Sequence, residues 1–276
     1  MQNQLASRFS RNSSVIRAET PLSDEQIAHV APSIFGNAKH ESRSQRYTYI
    51  PTIDILQSLR KEGFQPFFAC QTRVRDEGRR EHAKHMIRLR HASQINGREA
   101  NEIILLNSHD GTSSYQMLAG VYRFVCCNGM VCGDTIQDVR VPHKGDVVGH
   151  VIEGAYSVLD EFDMVAGEIE SMRSVRLSDE AQEVFAEHAL MLRYDDPAAA
   201  PIAASKLLDL KRRDDDRNDL WTTFNRVQEN LLRGGIMGRT RNGNRTKTRA
   251  VTGIDGNVKL NRVLWSLAEK MRELVK

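Results

Sequence analysis

The sequence predicts an α+β fold: an antiparallel sheet of about four strands packed against a long amphipathic helix, followed by a helical C-terminal region. Three observations carry this reading. Residues 67–75 and 82–91 alternate with period 2, and 103–133 reads as two further strands punctuated by turns. From Val147 to Met172 apolar residues recur at spacings of three and four. Beyond Asp195 only helical patterns return. The 276 residues are 40% hydrophobic and 27% charged, which places the chain among folded globular proteins and suffices for one large domain or two small ones. The net charge is only +3, so affinity for a polyanion has to come from local patches.

Residues 1–46 read as a flexible arm carrying Arg8, Arg11 and Arg17, then a short helix capped by Ser23 with Asp24 and Glu25 behind it. An α+β core is expected over 47–194. It opens on a helix from Thr52, read as its cap, to Glu62, with Ile55, Leu56 and Leu59 buried and Gly63 as the stop. In the two alternating strands Gln71, Arg73 and Arg75 oppose Cys70, Thr72 and Val74. Lys84, Met86, Arg88 and Arg90 oppose His85, Ile87, Leu89 and His91. Arg73, Arg75, Lys84, Arg88 and Arg90 are then expected on one solvated, cationic sheet face. Ile103–Leu106 and Val121–Cys127 supply the next strands, with turns at His109-Asp110-Gly111 and Asn128-Gly129.

The stripe Val148, Val151, Ile152, Ala155, Val158, Leu159, Phe162, Val165, Ala166, Ile169 and Met172 predicts one long helix lying on the sheet, and a second helix follows Ser178. Asp195–Pro201 is the linker candidate. In the region 202–276 a helix begins at Pro201 and ends in the solvated run Lys211–Asp216, Asn218 caps a second that Gly234-Gly235 stops, and Asn257 caps the last, with Val263, Leu264, Leu267, Met271 and Leu274 inward.

The basic loop 236–256 is the most informative stretch. Between Glu229 and Asp255 stand Arg233, Arg239, Arg241, Arg245, Lys247 and Arg249, with no acid and with threonine, asparagine and glycine between them. Guanidinium forks on such a loop suit phosphate oxygens; the bland alternative is a solvated loop with incidental charge. The cationic sheet face is a second candidate surface and the kind of platform single strands use. Tyr122 and Phe124 are its only stacking candidates, and core positions suit them better. Cys127, Cys132, His143 and His150 match no standard metal-site spacing, and no metal or other cofactor is expected. Cys126 or Cys127 with His109 or His143 is a nucleophile–base pair by residue type alone, and no phosphate loop or hydrolase motif occurs. The cysteines read as reduced and buried, and with no secretory leader or apolar span a cytoplasmic location off the membrane is expected.

Four segments resemble one family. They are Tyr49-Ile50-Pro51-Thr52 leading to Gly63-Phe64, Arg123-Phe124-Val125-Cys126-Cys127-Asn128-Gly129-Met130, Phe224 through Gly235, and Asn261-Arg262-Val263-Leu264-Trp265. Together they resemble the domain-of-unknown-function 932 family of phage- and plasmid-like proteins, from about residue 45 to the end. The resemblance implies a mobile-element context near anti-restriction and DNA-repair-like genes, and carries over no catalytic residue. A topological likeness to phage single-strand annealing proteins, which assemble into rings, implies a homo-oligomer. The expected function is non-enzymatic DNA binding, single strands favoured. An inhibitor or accessory factor acting on a host defence protein is the alternative, and a nuclease or other enzyme with an unrecognised site the third.

Overall fold

The computed structural model describes residues 13–36, 51–74, 77–91, 93, 95–96, 99–109, 113, 115–124, 128–132, 139–141, 145–194, 196 and 199–275. In chain order they form β1 (Ser13–Arg17), α1 (Asp24–Val30), α2 (Thr52–Lys61), β2 (Phe64–Thr72), β3 (His85–His91), β4 (Ile95–Asn96), β5 (Glu99–Asn107), β6 (Tyr115–Arg123), β7 (Asn128–Val131), β8 (Val139–Val141), α3 (Val147–Asp160), α4 (Phe162–Ser174), α5 (Asp179–Met191), α6 (Leu220–Arg233), β9 (Met237–Arg239), β10 (Arg245–Lys247) and α7 (Ile254–Val275). The fold is α+β, as the patterning predicts. The chain divides into two compact units, one of residues 1–124, 136–162 and 252–254, the other of 125–135, 163–251 and 255–276.

In the first unit the strands run β1-β2-β3-β5-β6, all antiparallel, with β4 on β5 and β8 on β6. The sheet has more strands than the alternation predicted. Part of the expected flexible arm is one of them: Ser13–Arg17 pairs with β2 from Ser13 opposite Thr72 to Arg17 opposite Phe68. The sheet is curled. Arg17 on β1 puts its guanidinium 5.0 Å from the Tyr122 ring on β6, four strand spacings along the order, which in a flat sheet is about 19 Å of backbone separation. A bulge between Pro66 and Phe68 helps bend β2.

One sheet face carries Ile87, Leu89, Ile103, Leu105, Met117 and Val121, and α2 and α3 pack on it. Ile55, Leu56 and Leu59 of α2 are fully buried. Gly154 on α3 lets that helix come close, since a β-carbon there sits 2.2 Å from the Met117 Cε. The single long helix of the 3–4 pattern is in fact two, α3 and α4, separated at Glu161. The stripe itself holds at Val151, Ala155, Val158, Phe162, Val165, Ile169 and Met172, whereas Val148, Ile152 and Leu159 are half-buried and Ala166 is exposed. Asn128-Gly129 is not a turn but the start of β7; the chain turns earlier, at Phe124. Asp110 and Gly111 lie outside the described residues.

The second unit is helical with a small hairpin. Ser178 caps α5 as expected, accepting from the Ala181 N–H. Three boundaries differ. In place of the helix expected from Pro201, the described residues form two short 3-10 turns, Ala204–Leu208 and Arg213–Asp215. Asp219, not Asn218, caps α6, holding Thr222 through both carboxylate oxygens at 2.8 Å. α7 begins at Ile254, and Val263 and Leu274 lie outward at 38% and 82% exposure while Leu260, Leu264, Trp265, Ala268 and Met271 line its buried side. Trp221, Phe224 and Trp265 cluster with ring centroids 5.5–6.1 Å apart. The run after Leu210 is not simply solvated. Arg212 grips buried Glu229 with two hydrogen bonds of 2.7 and 2.8 Å and also reaches buried Asp215 at 2.7 Å.

Candidate nucleic-acid interface

The basic loop is a built hairpin. β9 and β10 pair antiparallel, with Arg239 opposite Arg245 and Met237 opposite Lys247. Beyond them Thr240 donates to the Asn244 carbonyl, and Gly243 at φ 78° donates to that of Thr240, closing a short turn around Arg241 and Asn242. Successive residues of a strand point to opposite faces, so Met237, Arg239, Arg245 and Lys247 share one face and Gly238 and Thr246 the other.

The second face is the packed one. A β-carbon on Gly238 meets the Pro201 carbonyl oxygen at 1.9 Å, and the Arg239 N–H donates to that same oxygen. Only glycine admits this approach. The first face is open: Arg239, Arg245 and Lys247 are exposed, Met237 is 55% exposed, and Arg241 stands exposed at the tip. None of these four cations makes an ion pair among the described residues. The base of the ribbon is tied to the end of α6. Gly235 donates to the Thr248 carbonyl and Thr248 to that of Ile236, and Arg193 donates to the carbonyls of Leu231 and Arg249. Arg249 is exposed as well. Arg233 belongs elsewhere, since it pairs with buried Glu229 at 2.9 Å.

The cationic sheet face does not exist as a solvated surface. Arg88 and Arg90 are 3% and 2% exposed. Both turn onto Glu102, itself fully buried: Arg88 Nη1 donates to Oε2 at 3.1 Å, and Arg90 holds Oε1 through Nε and Nη2, each at 2.9 Å. Ring faces complete the enclosure. The Arg90 guanidinium lies 4.2 Å from the Phe67 centroid and 4.3 Å from that of Tyr122, and Arg17 lies 5.1 Å from Phe68. Burial presses Arg88 below the ordinary arginine range, with Glu102 pushing back. The physical reason for the correction is that both faces of this curled sheet are covered, so period 2 sets which residues share a face without making either face wet. Arg73 is exposed just beyond β2 and Lys84 is half-buried just before β3; neither sits on a platform with the others. Arg75 lies outside the described residues.

On the opposite sheet face is a polar cluster that the sequence reading missed. Thr52 does not cap α2; Pro51 occupies that position, and the Thr52 hydroxyl points inward. It lies 2.9 Å from His85 Nε2, receives a hydrogen bond of 3.0 Å from the Asn107 amide, and is 3.4 Å from both His109 Nε2 and the Tyr115 hydroxyl. Ser33 Oγ lies 2.9 Å from His85 Nδ1. All six residues have zero exposure, and burial together with His109 pushes His85 down to about 3. A neutral His85 accepts the Thr52 proton, so Thr52 joins α2 to the sheet. With no solvent access the cluster works as a specific polar core. Its only sequence signal is polar residues inside apolar strands.

Cys70 and Cys132 are buried, and burial pushes the Cys70 thiol up to about 12, the unreactive range. Cys126, Cys127 and His143 lie outside the described residues, and among the described residues no cluster has the make-up of a metal site. No helix among them is long and apolar enough to cross a membrane.

Residues 39–265 match the family described as domain of unknown function (DUF932). The chain belongs to that family. It is 58% identical over 268 residues to UPF0380 protein YafZ of Escherichia coli (strain K12), and 57% identical to UPF0380 protein YfjQ of the same strain, with 97% of each chain covered in both cases. No solved structure matches the chain. The family segments at Thr52 and at Phe224–Gly235 fall on structural joints. The first anchors α2 to the sheet, and the second runs through α6 into the hairpin's base.

Proposed function

We propose that the protein is a non-enzymatic DNA-binding protein of a plasmid or prophage that grips the phosphate backbone with the β9–β10 ribbon. The observation that carries this reading is the ribbon's open face, where Arg239, Arg245 and Lys247 stand together without a carboxylate partner and Arg241 extends them at the tip. Each guanidinium offers a fork suited to phosphate oxygens. The fixed base means little ordering entropy is lost on contact. Met237 adds an apolar contact within the same face. Arg88 and Arg90 are buried, so the sheet offers no cationic platform that would favour single strands. A two-stranded ribbon is a width that the duplex major groove admits, so a duplex is proposed to bind at least as well as a single strand.

The test is a fluorescence-anisotropy titration of short single- and double-stranded oligonucleotides at several salt concentrations. For Arg239→Ala/Arg245→Ala the slope of log affinity against log salt falls by about two units, alike for all sequences, with the melting temperature unchanged. Wild-type protein that shows no salt-dependent binding to either oligonucleotide refutes the reading and favours a protein partner.

A further inference from the structure

The second unit holds another cationic feature, away from the ribbon and at the opposite end of α6. A cleft of about 570 Å³ opens where the N-terminal ends of α5 and α6 come together. Its walls are joined by backbone: Leu177 donates to the Asn218 carbonyl and Leu220 to that of Val175. Arg176, Arg217 and Arg226 reach it from three separate segments.

These arginines differ from six others in the chain. Arg60, Arg88, Arg90, Arg212, Arg233 and Arg272 each contact a carboxylate. Arg176, Arg217 and Arg226 contact none among the described residues. Arg176 donates to the Asn218 side chain at 3.2 Å, and the Arg217 side chain makes no hydrogen bond among the described residues. Arg226 is held by neutral acceptors, Gln182 Oε1 at 2.6 Å, the Arg217 carbonyl and the Thr223 hydroxyl, while its buried Nε has no partner. The acids of the cleft act on Arg226 through space, Asp216 and Asp219 among them, but none reaches ion-pair contact with the three arginines among the described residues. Asp219 spends both oxygens on Thr222, and Asp179 and Asp216 stay beyond ion-pair distance.

We propose that this cleft binds a phosphate monoester, carried either by a free nucleotide or by the terminal phosphate of a DNA strand. Three guanidiniums around one cleft suit a monoester phosphate, which brings three strong acceptor oxygens and a charge of about −1.5 to −2. The volume lies in the range of small-molecule sites and leaves room for a polar body beyond the phosphate. Asp179 and Asp216 give that body acceptors for hydroxyl or amino groups and oppose a longer polyphosphate through like-charge repulsion. The site stands independently of the ribbon's role.

The experiment is calorimetric titration of the full chain with adenosine monophosphate, inorganic phosphate, and one oligonucleotide with either a 5′-phosphate or a 5′-hydroxyl end. Adenosine monophosphate binds more tightly than inorganic phosphate, and Arg176→Gln and Arg217→Gln each weaken it roughly tenfold or more. Arg226→Gln also removes the tie to Gln182 and risks the fold, so the two exposed positions carry the test. Preference for the phosphorylated oligonucleotide over the hydroxyl one assigns the ligand to a strand end; binding of the nucleotide without that preference assigns it to free nucleotide. The ribbon variant Arg239→Ala/Arg245→Ala binds adenosine monophosphate as wild type does. Failure of both the monophosphate and the phosphorylated end to bind at millimolar concentration overturns the proposal, as does binding unchanged in both Arg176→Gln and Arg217→Gln.

Discussion

Glu102→Gln isolates the arginine enclosure, because it removes one charge and almost no volume. Glu102 is fully buried, and three hydrogen bonds from Arg88 and Arg90 converge on it at 2.9–3.1 Å. The glutamine leaves two guanidiniums at 3% and 2% exposure without this carboxylate. An amide nitrogen also replaces one acceptor oxygen and points a donor at a donor. Breaking a buried ion pair on one side costs about 3–5 kcal/mol, and the flanking rings of Phe67 and Tyr122 offset on the order of 1 kcal/mol each in either state. Against a total stability of about 5–15 kcal/mol this is a large fraction. At about 2–4 °C per kcal/mol for a domain of this size, the melting temperature falls by roughly 10 °C. Thermal denaturation followed by far-UV circular dichroism measures it, and urea denaturation gives the free energy. Arg88→Met/Glu102→Gln, which removes one cation together with the carboxylate, recovers part of the loss. A Glu102→Gln variant within about 0.5 kcal/mol of wild type places the face in water and refutes the enclosure.

Two further outcomes follow from the same packing. His85 is pushed down to about 3 by burial and by His109, so between pH 6.5 and 3 the unfolded chain binds the extra proton. The stability tied to a neutral His85 is present above pH 6.5 and is lost as pH falls, at a slope approaching 1.4 kcal/mol per pH unit; denaturation curves of His85→Gln lack this component, and an identical pH profile in that variant refutes it. Val151→Asp, at a site of zero exposure, destabilises by several kcal/mol, whereas Val148→Asp, on the half-buried margin, costs distinctly less; equal melting temperatures for the two variants discard the assigned stripe.

What was legible in the sequence was what short-range chemistry decides. Ser23 and Ser178 cap helices because a hydroxyl reaches an N–H three residues on, and no distant group alters that. The stripe from Val151 to Met172 follows from 3.6 residues per turn, and the β5–β6 pairing follows from two apolar runs with a connection between them. The cations of 239–247 were also legible, because nothing acidic stands near them in sequence. That they form a ribbon with one open face was decided by the Pro201 carbonyl, which only Gly238 can approach.

The remainder depended on which groups the fold brings together. Period 2 placed Arg88 and Arg90 on one face, but a charged residue on a strand reads as solvated unless a counter-charge is known to meet it. Glu102 comes from β5, Phe67 from a bulge in β2, and Tyr122 from β6. Thr52 read as a cap because its local sequence suits one, yet its hydroxyl serves His85 and Asn107, which only sheet formation delivers. Sequence alone determined the apolar stripes of the helices, the central strands and the cations of the hairpin, since hydrogen bonding and amphipathic periodicity act over a few residues. The tertiary structure decided which cations are enclosed and which remain open to an anionic partner, because burial of charge is settled by groups distant in the chain that exclude water together.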